Sequence, residues 1–194
     1  IKFDFDSMAQ ESNIVQQQLA DIKTKLDTHI DNWPYFNWNS GDHLSCLLYG
    51  GTCTVDVAEP YEAVIKSGTM KGTTTTRNKW IQVTKPFPGL YKPMKGSELK
   101  KQGYWATDEA TLLKLSGTSK LIKLLLERSE LEKYLSTYLL GIPKHMEKYD
   151  WSDGLVHGQL NQCVAITGRL TATKPNQQNF PPSMNKYIIS RFPC

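Results

Sequence analysis

Apolar residues return at helical spacing through the first thirty positions. Met8, Val15, Leu19, Ile22, Leu26 and either His29 or Ile30 recur every three, four or seven residues, while Gln16, Gln17, Asp21, Lys25 and Asp27 occupy the other side. This pattern predicts one amphipathic helix of about two dozen residues. Ser7-Met8-Ala9-Gln10 reads as its capping box, a hydroxyl and an amide satisfying each other's free N–H groups. Trp33-Pro34 reads as its end, because a residue before proline is pushed out of the helical region. Ser40 with Asp42 predicts the start of a second, shorter helix with Leu44, Leu47 and Leu48 on its buried side and Gly50-Gly51 as its stop.

From residue 52 the period changes. Thr52–Val57 and Lys79–Val83 alternate as strands do, with Ser67–Thr76 between them read as a turn or loop and Lys85–Lys101 as an irregular connector. Helical spacing resumes after Thr107, with Asp108 and Glu109 in a first turn. After Gly117-Thr118-Ser119 a longer stripe follows: Leu121, Leu124, Leu125, Leu131, Leu135, Tyr138 and Leu139, stopped by Gly141-Ile142-Pro143. Leu155–Leu160, Val164–Ile166 and Leu170–Thr173 read as strands. The expected fold class is α+β: long antiparallel helices, a β-rich insertion, and short antiparallel strands near the end.

Composition narrows this picture. In 194 residues, 39% hydrophobic content and no apolar run near the roughly 20 residues needed to span a bilayer exclude a helical membrane bundle. The start lacks a basic, then apolar, signal segment. The net charge of +4 is concentrated between Lys66 and Lys101, as suits either a solvated basic face or a phosphate-facing one. Cys46, Cys53, Cys163 and Cys194 form no CxxC pair, which points away from a disulfide framework and towards a reducing, cytoplasmic setting. His43, Cys46 and Cys53 lack a fourth ligand at finger-like spacing, so no zinc site is expected. Gly68 and Gly72 lack the Gly-Lys-Ser/Thr ending of a phosphate loop. The chain begins without Met and ends at Phe192-Pro193-Cys194, and a segment of a longer protein is expected.

The most informative run is Asn161–Pro181. Thr167-Gly168-Arg169-Leu170 is followed by Pro175-Asn176-Gln177-Gln178-Asn179-Phe180-Pro181. A guanidinium forks onto phosphates or base acceptors, and amides suit the degenerate acceptors of a minor groove, where shape is checked rather than sequence. The run closely resembles the T-G-R-L…P-N-x-Q-N-x-P segment of family A DNA polymerases, the bacterial DNA polymerase I family and its phage relatives. Upstream segments resemble that family in order: Phe36-Asn37…Ser40…Leu44, Thr107-Asp108-Glu109…Leu112, Glu127-Arg128…Leu131…Lys133…Ser136-Thr137-Tyr138…Pro143, and Asp153–His157.

The resemblance implies a thumb over residues 1–145, with a phage-type β-rich insertion at about 51–105, and the first part of a palm over 146–194. It implies that Arg169 reaches the minor groove near a primer terminus, with Thr167 beside it. Asn176, Gln178 and Asn179 would touch duplex sugars and minor-groove acceptors. Lys133, Ser136 and Thr137 would face the DNA backbone. Where the family often has Lys before S-T-Y, Leu135 stands here, so one phosphate contact passes to Lys133 or to the basic 66–101 region. The family's Mg²⁺-binding carboxylates and its dNTP-gripping helix are not in this sequence. The expectation is therefore an N-terminal fragment, inactive alone. It would bind primer–template DNA, with dNTP and a complementary polymerase chain completing the enzyme; no membrane partner is expected. Two rival readings are a stand-alone, non-catalytic DNA-binding or processivity module, and an intein junction at Cys194. Asp4 and Asp6 read as helix-start charges rather than nuclease ligands, and His157 reads as structural.

Overall fold

A computed structural model describes residues 1–65, 67, 72–115, 117, 119–151, 154–162, 164 and 166–190, apart from the side chain of Gln177. In chain order the elements are β1 (Lys2–Phe3), α1 (Phe5–Asp27), a 3₁₀ turn (Thr28–Ile30), α2 (Gly41–Tyr49), β2 (Gly51–Val64) and β3 (Thr74–Phe87). Then come α3 (Glu109–Leu115), α4 (Lys120–Lys133), a π-helical turn (Tyr134–Leu139), α5 (Gly141–Lys148), β4 (Gln159–Asn161) and β5 (Thr171–Thr173). Two 3₁₀ turns (Gln177–Asn179, Pro182–Tyr187) precede β6 (Ile188–Ile189). The mixed helix-and-sheet class expected from the sequence is the one observed. The chain divides into two compact units, Ile1–Leu26 with Ser119–Cys194, and Asp27–Thr118.

In the first unit α1 starts earlier than the pattern suggests. Asp4, not Ser7, is the cap. Its carbonyl accepts from Met8 N–H at 3.1 Å, and its carboxylate accepts from the Ser7 amide at 3.0 Å and the Ser7 hydroxyl at 2.7 Å. Aspartate satisfies free helix-start amides better than a serine already inside the first turn. The apolar stripe is buried as expected at Met8, Val15, Ile22 and Leu26. Met8 and Val15 pack with Phe3, Leu139, Ile142, Val156, Met184 and Tyr187, so one core joins α1, the π turn, α5 and the C-terminal segment. Main-chain bonds tie the first strand into that core: β1 pairs antiparallel with β6, Lys2 opposite Ile189, and Val156 N–H donates to the Ile1 carbonyl at 2.7 Å.

Two expectations in this unit change. Gly141-Ile142-Pro143 opens α5 instead of closing the long helix. Proline is tolerated in a first helical turn, where its missing N–H has no partner to lose. Of the tail strands, Gln159–Asn161 pairs with Thr171–Thr173, Gln159 opposite Thr173, while Leu155 bridges to Lys2. Val164 and Ile166 lie in irregular chain and are exposed.

The second unit begins at Asp27. The long helix ends there rather than at Trp33-Pro34, because Asp31 and Asn32 turn left-handed at φ 52° and 53°, a conformation that Asp and Asn tolerate best after glycine. Ser40 caps α2 as expected, accepting from His43 N–H at 3.4 Å. The two strands extend well beyond their predicted cores into one antiparallel hairpin, registered from Gly51 opposite Phe87 to Val64 opposite Thr74. The threonine run read as loop lies largely in β3, since β-branched residues suit a pleated strand. At the hairpin root Phe36 packs on Trp38 (4.6 Å), His43 (5.3 Å) and Phe87 (5.7 Å). Lys85 Nζ closes the same corner on the Ile30 carbonyl at 2.6 Å and on Asp31 at 3.0 Å. Gly89 permits the return: a Cβ there would stand 2.6 Å from the Gly50 nitrogen, at φ 79°.

Candidate nucleic-acid interface

The first unit carries an open cleft of about 820 Å³. Lys133, Thr137 and Tyr138 form one wall, from the end of α4 and the π turn. Thr173, Lys174, Pro175, Asn176, Asn179 and Phe180 form another, and His145 and Tyr149 from α5 and its end close it. Four of the eight residues singled out in the sequence thus meet: Lys133, Thr137, Asn176 and Asn179.

Local structure explains the arrangement of the amides. Asn176 Oδ1 accepts from Gln178 N–H at 3.2 Å, an Asx turn that curls the main chain tightly. Its carbonyl accepts from Asn179 N–H at 3.3 Å, completing the 3₁₀ turn. Asn179 in turn accepts on its carbonyl from the Tyr138 hydroxyl at 2.9 Å, and Phe180 meets the Tyr138 ring edge-on at 6.1 Å. The amide-bearing turn is therefore anchored to the helix that carries Lys133 and Thr137.

The other four residues take different places. Ser136 donates its hydroxyl to the Glu132 carbonyl at 2.7 Å, so that oxygen serves the helix. Gln178 is exposed outside the cleft lining. Thr167 and Arg169 are exposed on the irregular chain between β4 and β5 and do not line this cleft. Arg169 is therefore presented on an exposed stretch of chain.

Sequence reasoning missed the aromatic and basic flank. Tyr149 stacks on His145 at 5.7 Å with planes 2° apart, and on Trp151 at 5.3 Å. Lys148 and Lys174 place their ammonium groups 5.5 Å and 5.9 Å from the same ring, within cation–π range. Tyr138 belongs to the Ser136-Thr137-Tyr138 run, but its partner, the Asn179 carbonyl, lies 41 residues away and leaves no local pattern. A smaller neighbouring cleft of about 400 Å³ shares Lys133 and Tyr138 and adds Glu11, Tyr134 and Lys186. Burial, and then the adjacent phenol of Tyr187, push the Tyr134 hydroxyl to about 12, so it is a neutral group at physiological pH.

Of the basic stretch, Lys85 serves the hairpin root and Lys101 pairs with Asp42, while Lys66 and Lys71 lie outside the described residues. His43 Nδ1 accepts from the Asn37 amide at 2.9 Å. Among the described residues no three His, Cys, Asp or Glu side chains gather where they would hold a metal ion. The described residues therefore do not offer the carboxylate set that Mg²⁺ takes. Asp153, Cys163 and Cys194 lie outside the described residues. No described helix is long and apolar enough to cross a membrane.

The profile of DNA polymerase family A matches residues 87–191, more than half of the chain. The chain belongs to DNA polymerase family A. Its relatives include DNA polymerase I of Synechocystis sp., 41% identical over 95 residues, which are 49% of this chain and 9% of that protein. The thermostable DNA polymerase I of Thermus filiformis is 35% identical over 82 residues, 42% of this chain and 10% of that one. The chain thus spans about a tenth of the length of these relatives. In fold it is similar to the POL domain of Pol1 from M. smegmatis, a structure in complex with DNA primer-template and dNTP. That likeness has a TM-score of 0.61 at 21% identity and covers 93% of this chain and 24% of that one.

Proposed function

We propose that this chain is the duplex-gripping part of a DNA-directed DNA polymerase. Residues 1–145 act as the thumb, with a phage-type insertion at 51–105, and residues 146–194 are the first part of the palm. The observation that carries this reading is the cleft in which Lys133 and Thr137 stand across from Asn176 and Asn179. A lysine neutralises phosphate, and hydroxyl and amide groups meet sugars and minor-groove acceptors. Contacts of this kind hold a duplex without reading its sequence. Arg169, exposed on its connecting segment, reaches the minor groove near the primer terminus, with Thr167 beside it. Catalysis and dNTP binding belong to a complementary chain that brings Mg²⁺ carboxylates and fingers.

The test mixes the chain with a complementary fragment and follows Mg²⁺-dependent primer extension. Extension by the mixture and not by either part alone is the expected result. Duplex binding without extension at any ratio supports the rival reading, a non-catalytic binding module. No duplex binding at all overturns both. Within an active mixture, Arg169→Ala slows extension from paired and mispaired ends alike, and full-rate extension by that variant removes Arg169 from its role.

A further inference from the structure

Lys133 and Tyr138 line the same cleft although they are five residues apart on one helical segment. On a regular α-helix, five residues place two side chains about 140° apart around the axis. The turn between them is not regular. Residues Tyr134–Leu139 are π-helical, and Leu140 N–H donates to the Leu135 carbonyl, five residues back, at 2.9 Å. A π turn sets residue i+5 over residue i, which returns Tyr138 to the side of Lys133. There its hydroxyl reaches the Asn179 carbonyl at 2.9 Å.

The wide turn brings the Ser136 carbonyl against Gly141. A Cβ on Gly141 would stand 2.9 Å from that oxygen, closer than real Cβ contacts allow. The obstacle is backbone, so it cannot swing aside as a side chain would. The backbone of Gly141 itself has an ordinary helical sign of φ, since it is not among the glycines of positive φ. Its glycine identity therefore answers to the Ser136 carbonyl and not to a left-handed conformation.

We infer that Gly141 is a positioning residue: by admitting the Ser136 carbonyl it maintains the π turn that puts Lys133 and Tyr138 on one side and locks the amide turn at Asn176–Asn179 to the thumb helix. Its bearing on DNA binding rests on the function proposed above; its bearing on the Tyr138–Asn179 bond does not.

The sign of one substitution separates this role from a generic helix position. Gly→Ala at an unobstructed helical site stabilises a protein, by restricting its unfolded chain and by better helix propensity. Here Gly141→Ala in the 194-residue chain is expected to lower the urea midpoint and to move the ring signal of Tyr138 in an NMR spectrum of tyrosine-labelled protein. Both readouts need no DNA. With a primer–template duplex as probe, Gly141→Ala and Tyr138→Phe are each expected to weaken binding by about three- to tenfold. The double variant should lose no more than about twofold beyond the weaker single, because both act through one bond. A raised urea midpoint, an unmoved Tyr138 signal, or losses that multiply in the double variant each overturn the inference. If the parent chain binds no duplex, the DNA-gripping reading fails, and the midpoint and Tyr138 signal still decide the role of Gly141. Should Gly141→Ala not fold, the loss itself opposes the ordinary glycine-to-alanine expectation, and Tyr138→Phe alone then reports whether the bond to Asn179 holds the cleft.

Discussion

The Tyr138 hydroxyl donates to the Asn179 carbonyl at 2.9 Å, joining two positions 41 residues apart in the chain. One end of that bond belongs to the π turn that follows Lys133, the other to a 3₁₀ turn built by an asparagine side chain. Neither end is a long rigid element. The bond makes a shared wall from two short irregular turns, and the groups proposed to meet DNA sit on both.

Charge and amide groups in this cleft should separate by their salt dependence. Lys133→Ala is expected to weaken duplex binding and to reduce the slope of log K against log salt by about 1, as one neutralised phosphate does. Asn176→Ala should weaken binding with the slope kept, since an amide releases no counterion. Its loss also removes the acceptor of Gln178 N–H, so circular dichroism must accompany the titration. Fluorescence anisotropy at several salt concentrations checks both. Equal slopes for Lys133→Ala and the parent chain would remove Lys133 from the phosphate path.

Much of this architecture was legible in the sequence, for reasons that particular residues make plain. Ser40 capped its helix because hydroxyl, spacing and following leucines all agreed. The stripe Met8, Val15, Ile22, Leu26 was buried because its period left one side for a core. Asn176 and Asn179 line a cleft with Lys133 and Thr137, residues that only the family resemblance had put together. Failures came where two local signals competed. Asp4 displaced Ser7 as cap, Asp31 and Asn32 turned the chain before Pro34 could, and Gly141 began a helix where glycine usually ends one. The π turn left no mark within its own six residues, and the position that answers to it, Gly141, carries a residue that reads as a helix stop.

Truncations in the core and on the surface should differ widely in cost. Ile142 is 1% exposed among Met8, Val15 and Met184, so Ile142→Ala leaves a cavity that this packing fills only in part. A loss of about 2–5 kcal/mol is expected by urea denaturation. Val164→Ala, at 67% exposure, should stay within about 0.5 kcal/mol of the parent. Equal shifts would mean that Ile142 is not part of a close-packed core.

The buried thiols should be silent in the native chain. Cys46 and Cys53 are both 2% exposed. Burial, followed by the neighbouring Cys46, pushes the Cys53 thiol up to about 12, leaving about one part in ten thousand as thiolate at pH 8. In a Cys163→Ser, Cys194→Ser background, Ellman's reagent is expected to release no colour until urea is added, and then to report both thiols. Rapid native labelling of Cys53 would show that the root of the hairpin opens.

Two helix-start carboxylates give the chain an acid limit of known sign. The Ser7 hydroxyl, then its amide, hold Asp4 below its usual 3.8. The Thr111 hydroxyl does the same for Asp108, donating at 2.6 Å. In each case the folded state releases its proton more readily than the unfolded chain. The stabilisation is therefore fully present above the unfolded value and is lost as pH falls through the lower, folded one. Thermal midpoints of the parent should drop steadily from about pH 5 towards pH 2. Asp4→Asn and Asp108→Asn keep an oxygen acceptor but remove the titrating charge. Together they should lower the midpoint at neutral pH and flatten this acid limb. If the double variant loses as much from acid as the parent does, other carboxylates set the limit and these two caps do not.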